Sequence, residues 1–329
     1  MSGRKPPGEF ALIARYFAPL AKGYPGALDL TDDAALVEVD PGCRLVVTAD
    51  ALVAGVHFLA DDPPDLVAKK ALRVSLSDLA AMGARPFAYM LTVVLPTDTA
   101  ADWLERFVAG LAADQKTFGL SLIGGDTVAA AGPVSLSVTA LGQVPVGAEL
   151  RRSAAQAGDA VFISGTVGDA ALGLRILRGE VGGLASAERD HLVRRYRLPE
   201  PRLSLGSRLA GLARAAIDVS DGLVADLGHI CAASGLAAVI EAAQLPLSAA
   251  ARTALKRDPG LMKVVLTGGD DNELLFTVPE DDRDRVRALA DEIGLKLTQI
   301  GGIVEGSGVK VVDEAGAEIA LGQGGWRHF

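Results

Sequence analysis

In the stretch Val46 to Phe58, VVTADALVAGVHF, a β-branched run meets an acid at Asp50, and a glycine-containing turn then leads to His57. A carboxylate at the end of an apolar strand is costly unless a cation or several donors meet it. Apart from Arg44, no Lys or Arg lies within six residues of Asp50. A single Asp of this kind can also cap the following turn through its own backbone, so Asp50 alone leaves two readings open. Recurrence of the arrangement along the chain is what narrows them.

Asp32 and Asp33 precede a strand-like run at Ala34, Ala35 and Leu36. They read as a surface turn or, if they face inward, as a pair that calls for a cation. Leu72, Leu76 and Leu79 predict a helix over 63–83. On it Asp78 falls beside the small apolar strip of Ala71, Val74 and Met82, away from Lys69, Lys70 and Arg73. The alternative is a buried, hydrogen-bonded Asp. The pattern continues with a helix over 9–20, a strand over 87–95, a helix over 102–118 closed by Gly119, and a strand over 120–123 that runs into Gly124-Gly125-Asp126-Thr127. Asp126 again ends a strand, and the two glycines let backbone N–H groups approach a ligand. A strand from Val134 to Gly142 follows. The Pro- and Gly-containing connection 144–158 places a domain boundary near Gly147; Arg152 within it is an ordinary solvated cation or a guanidinium suited to phosphate oxygens.

In the second half a strand over 160–164 enters Gly165-Thr166-Val167-Gly168-Asp169, a helix start that lacks the Lys of a P-loop. Helices are expected over 186–197 and 202–214. A strand then ends on Asp218-Val219-Ser220-Asp221, spaced so that both carboxylates can reach one cation, and Val264 to Leu266 reads as a strand entering Gly268-Gly269-Asp270-Asp271. Each half thus has a strand followed by Gly-Gly-Asp, a faint echo of duplication.

At 329 residues the chain suits two domains of roughly 150 residues each. With 50% hydrophobic residues and 38 glycines it reads as a packed α/β protein rather than a disordered one. A net charge of −9 argues against a nucleic-acid surface, and it means that a polyphosphate could be held only where metal ions or local donors reverse the field. Cys43 and Cys231 show no metal or disulfide spacing, which points to the cytoplasm. Arg4 and Lys5 are followed by Pro6, Pro7, Gly8 and Glu9 rather than an apolar segment, so no signal peptide is read, and no apolar run is long enough to span a membrane. If Asp32, Asp33, Asp50, Asp78, Asp126, Asp218 and Asp221 gather in one pocket, each pair at ~4 Å repels by about 4 kcal/mol at an effective dielectric near 20. Oxygen-binding divalent cations, Mg2+, Mn2+ or Ca2+, relieve this, and Mg2+ commonly fills its open positions with substrate phosphates. A Ser-His-Asp hydrolase does not fit, because no G-x-S-x-G occurs and His57 has no nucleophile in a strained turn; His191, His229 and His328 read as surface or core residues.

Gly8-Glu9-Phe10, the Asp-Asp-Ala turn, Thr48 to Phe58, Leu-Ser-Asp-Leu-Ala-Ala-Met-Gly at 76–83, Ile-Gly-Gly-Asp-Thr at 123–127, Asp218 to Leu223 and Gly-Gly-Asp-Asp at 268–271 together closely resemble the thiamine-monophosphate kinase family. Its wider superfamily includes aminoimidazole ribonucleotide synthetase, selenophosphate synthetase and a hydrogenase-maturation protein. The resemblance implies two α+β sandwich-like domains of the aminoimidazole ribonucleotide synthetase type. Residues 1–146 would form an N-terminal domain that binds metal and ATP and dimerises through its sheet, and residues 147–329 a C-terminal domain that completes the nucleotide and substrate site. It implies transfer of the ATP γ-phosphoryl to thiamine monophosphate with several Mg2+ ions and no side-chain nucleophile, in a cytoplasmic homodimer without nucleic-acid or membrane partners. By motif, Asp33, Thr48, Asp50, Asp78, Asp126, Asp218 and Asp221 would hold Mg2+. Gly125, Asp126, Arg152 and Ser220 would contact ATP, and His57, Asp270 and Trp326 would contact thiamine monophosphate. The chain departs from the family pattern at Thr31, Ala49, Asp270 and Asn272, where Gly, Thr, Glu and Tyr are usual. A sister synthetase and a non-catalytic nucleotide- or metal-binding protein are the alternatives. The Cys chemistry of the selenophosphate and hydrogenase-maturation relatives has no counterpart, since no Cys precedes Cys43 and the chain ends on His328-Phe329.

Overall fold

A computed structural model describes residues 9–321 and Gly325. The chain divides into two compact units, Met1–Leu79 with Ala84–Val146, and Ala80–Gly83 with Gly147–Phe329.

Unit 1 contains β1 (Cys43–Val53), α1 (Pro64–Ala81), β2 (Arg85–Leu95), α2 (Ala101–Phe118), β3 (Ser121–Ala129) and β4 (Ser135–Pro145). The sheet order is β1-β4-β2-β3, with β2 and β3 parallel and the other neighbours antiparallel. A parallel pair needs a crossover. Here it is α2, which buries Leu104, Phe107 and Leu111 and stops at Gly119 with φ 68°. One sheet face buries Leu52, Leu91, Val93, Leu136 and Val138. The other leaves Leu45, Val47, Met90 and Val128 substantially exposed.

Several expectations are corrected here. Asp50 and Asp126 do not end strands: β1 runs on to Val53, and Gly124-Gly125-Asp126 lie inside β3. Both strands lie at sheet edges with partly open surroundings, where a polar residue in mid-strand is tolerated. Ala34 to Leu36 forms no strand and is tied back by Leu36 N–H donating to Gly26 O at 2.8 Å. The first helix is broken by a π turn at Ile13–Phe17, between Glu9–Leu12 and Ala18–Ala21.

Unit 2 contains β5 (Ala160–Ser164), α3 (Asp169–Leu177), α4 (Ser186–Arg197), β6 (Ala215–Asp218), α5 (Leu223–Ser234), β7 (Ala237–Glu241), α6 (Ala249–Arg257), α7 (Met262–Thr267), β8 (Leu274–Val278), α8 (Arg283–Ile293), β9 (Leu297–Val304) and β10 (Gly308–Val312). Its sheet order is β10-β7-β9-β5-β8-β6, and only the β10–β7 pair is parallel. Central strand β5 sends Val161 and Ile163 into one core and Ala160 and Phe162 into another. Burial on both faces is why it reads as an unbroken apolar run. The helix expected over 202–214 is a single turn, Leu203–Gly206. Close packing at Gly206, where a Cβ would fall 2.1 Å from Ala80 O, and the left-handed Gly211 at φ 72° interrupt it. The strand expected at Val264–Leu266 is the helix α7. Gly-Gly-Asp therefore lies within a strand in one unit and after a helix in the other, and the echo between the halves is lost there.

Candidate functional site

Thr48 and Asp50 lie two residues apart on the covered face of β1, and Ser75 and Asp78 lie three apart on one face of α1. Thr48 Oγ1 donates to Asp78 Oδ2 at 2.5 Å, and Ser75 Oγ donates to Asp50 Oδ2 at 2.6 Å. Each carboxylate is thus aimed by a hydroxyl from the opposite element. A neutral hydroxyl orients an acid without cancelling its charge, and half-buried Asp50 forms no ion pair among the described residues. His57 follows β1 and accepts Val53 N–H at Nδ1, 3.1 Å away. In the neutral ring this leaves the proton on Nε2, a donor suited to a phosphate oxygen.

Asp32, Asp33, Gly125 and Asp126 line a second feature of unit 1, a cavity of about 380 Å³ whose walls include Met90, Leu122 and Ile123. Asp126 pairs with Thr92, Thr92 with Ser137, and Ser137 with Ala51, so Asp126 occupies the sheet face opposite Asp50. Three strand spacings of ~4.8 Å set the two backbones roughly 14 Å apart. Mg2+ binds oxygen at ~2.1 Å, so one chain brings Asp50 and Asp78 together but does not bring Asp126 to the same ion. At Gly125 a Cβ would lie 1.9 Å from Leu91 O, so the neighbouring strand by itself already requires the glycine.

In unit 2, Asp218 is buried at the end of β6, and the chain turns through Ser220, Asp221 and Gly222 into α5. Asp226 Oδ2 accepts the N–H groups of Ser220, Asp221 and Gly222 at 3.1, 3.1 and 3.0 Å. Burial, and next the Asp221 carboxylate, push the Asp226 carboxyl up to about 7 against the pull of those donors. Ligand atoms of Asp221, Asp226 and His229 lie within 4.8 Å of one another. Asp226 escaped the sequence reading and His229 reads there as a surface or core residue, although their spacing of three on a helix next to Asp221 was the available signal. Arg152 is exposed and its guanidinium meets no carboxylate among the described residues. Asp270 sits in a left-handed conformation with φ 71° and donates its N–H to Ser220 O at 2.9 Å. At the Gly165–Asp169 turn the helix start is already occupied: Asp271 accepts Gly168 N–H at 2.5 Å and Ala170 N–H at 3.2 Å. Trp326 lies outside the described residues.

Asp33, Asp50, Asp126 and Asp221 form no ion pair with Lys or Arg among the described residues. Cation-free, oxygen-only acids fit a hard divalent ion such as Mg2+ better than a softer metal.

The AIR synthase related protein N-terminal domain matches residues 31–144, and the corresponding C-terminal domain matches residues 156–314. Thiamine-monophosphate kinase of Caulobacter vibrioides is 44% identical over 326 residues, 98% of this chain and 91% of the relative. The crystal structure of thiamine-monophosphate kinase from Stenotrophomonas maltophilia K279a superposes with a TM-score of 0.82 at 45% identity, covering 90% of this chain and 96% of that one. A solved structure of AaThiL complexed with AMPPCP and TMP has a TM-score of 0.78 at 32% identity, with 91% of each chain covered. Both domains, in this order and over nearly the whole length, place the chain in the thiamine-monophosphate kinase family of AIR synthase related proteins.

Proposed function

We propose that the protein transfers the γ-phosphoryl group of ATP to the phosphate of thiamine monophosphate by direct in-line displacement, giving ADP and thiamine diphosphate. The observation that carries this reading is the crossed Thr48–Asp78 and Ser75–Asp50 pairing, two carboxylates each aimed by a hydroxyl from the opposite element, in a family whose relative binds an ATP analogue and TMP. The acceptor is an ionised phosphate, so no general base is needed, and positioning and charge neutralisation suffice. When bound, Mg2+ ions neutralise phosphate charge and align the reacting oxygens. Asp50, Asp78 and Thr48 would hold one set of ions, Asp33 and Asp126 another, and Asp218 and Asp221 serve in unit 2. Arg152, Gly125 and Ser220 would receive the nucleotide phosphates. His57, through its Nε2–H, and Asp270 would hold thiamine monophosphate.

We also infer a cytoplasmic homodimer. Leu45, Val47, Met90 and Val128, 44%, 54%, 42% and 39% exposed on one sheet face, support association of two copies there. Both cysteines are free thiols, in keeping with a reducing compartment. No helix among the described residues is long and apolar enough to cross a membrane.

The test supplies purified protein with ATP, Mg2+ and thiamine monophosphate, and follows ADP and thiamine diphosphate. Stoichiometric formation of both is expected. Nucleotide binding without thiamine diphosphate would overturn the kinase reading in favour of a binding protein.

A further inference from the structure

Loops 218–222 and 268–273 of unit 2 behave as one stitched edge. Asp270 N–H donates to Ser220 O at 2.9 Å, Asn272 N–H to Val219 O at 2.8 Å, and Val219 N–H to Glu273 O at 2.9 Å. Their approach is close enough that a Cβ on Gly269 would fall 2.1 Å from Ser220 O. Asp270 and Asn272 both adopt left-handed backbone, φ 71° and 52°. Non-glycine residues persist there only when their surroundings over-determine them.

The element that over-determines them is Glu273, fully buried where the second loop enters β8. Its carboxylate accepts Ser164 Oγ at 2.5 Å, Arg195 Nη2 at 2.8 Å and Arg202 Nε at 2.6 Å, and Arg202 Nη2 closes a two-pronged pair. Arg195 Nη2 also donates to Asp271 O at 3.1 Å, so one guanidinium grips the loop at two residues, Asp271 and Glu273. Four donors satisfy a carboxylate completely, which leaves Glu273 no capacity for metal or substrate. Its identity is therefore explained by what it holds in place.

We propose that Glu273, clamped by Arg195 and Arg202, is a positioning residue that sets the geometry of the Ser220–Asp270 edge for both nucleotide and thiamine monophosphate. The roles of Ser220 and Asp270 rest on the kinase reading above. Two full-length variants test the clamp: Arg202→Lys keeps the charge but loses the fork, and Glu273→Gln keeps the shape but loses the charge. In Arg202→Lys, KM for both substrates is expected to rise about tenfold with kcat changed by less than about threefold. Amide exchange at Asp270 and Asn272 is expected to accelerate about tenfold while that of β5 stays unchanged. Glu273→Gln is expected to show the same pattern more strongly. Unchanged KM values, or unchanged exchange at those two amides, overturn the proposal even if thermal stability falls. Exchange does not depend on turnover: an inactive wild-type protein would remove the kinase reading and leave exchange to decide the clamp.

Discussion

Asp50 and Asp78 of unit 1 and Asp271 and Glu273 of unit 2 are handled in opposite ways. Asp50 and Asp78 are half-buried and each is aimed by a hydroxyl from the opposite element, and Asp50 forms no ion pair among the described residues. Asp271 and Glu273 are almost wholly buried, and both oxygens of each are taken by backbone N–H, hydroxyl or guanidinium donors. A carboxylate saturated by protein donors is scaffolding. One that is oriented but left charged is available to a cation. The pattern separates residues that bind from residues that shape, a distinction that residue type alone does not make.

The largest expected contrast lies in turnover. Asp50→Asn keeps a group able to accept Ser75 Oγ–H but removes the charge, so kcat should fall by about a thousandfold or more. The melting temperature in metal-free buffer should move only a few degrees. Collapse of the fold would make Asp50 structural and erase the contrast.

On the other side, breaking a buried charge pair is a stability event. Arg195→Met leaves Glu273 short of a buried cation and should cost about 3 kcal/mol in urea unfolding. A loss under about 1 kcal/mol would show that Arg202 and Ser164 satisfy Glu273 alone.

Asp271 sharpens the comparison through pH. Burial pushes its carboxyl up to about 8, despite Gly168 N–H and Arg195. A group whose folded pKa lies above its unfolded value of about 3.9 gives stability fully present below that value and lost as pH rises towards 8. Metal-free protein should therefore melt progressively lower from pH 5 to pH 8, and Asp271→Asn should flatten that slope whatever it does to absolute stability. An unchanged slope would assign the pH dependence elsewhere.

The smallest effect concerns Tyr89, whose buried hydroxyl finds no hydrogen-bond partner among the described residues. Tyr89→Phe should be neutral or stabilising by up to about 1 kcal/mol, measured by denaturant midpoint. A clear loss would reveal a hidden partner.

Much of this was legible in the sequence, and what was not has physical causes. The periodicity of α1 put Asp78 on the helix side that faces the sheet, because a 3.6-residue repeat fixes the face a residue takes. The strand ends at Asp50 and Asp126 were misplaced because turn chemistry was read from composition, while edge-strand pairing carries both strands onward. The 202–214 helix and the 264–266 strand failed where tertiary packing overrides local pattern, at Gly206 and in α7. The division of unit 1 acids between two sheet faces depends on the β1-β4-β2-β3 order, which no local window contains. Asp226 and Glu273 were passed over because shaping residues look like surface acids until their donors are known.

The most direct measurement counts bound Mn2+ by electron paramagnetic resonance, in the presence of a non-hydrolysable ATP analogue, for the wild type, Asp50→Asn and Asp271→Asn. Asp50→Asn should lose bound metal relative to the wild type, and Asp271→Asn should retain it. Equal metal binding by Asp50→Asn and the wild type, or loss in Asp271→Asn alone, would contradict the division between oriented, charged acids and saturated ones.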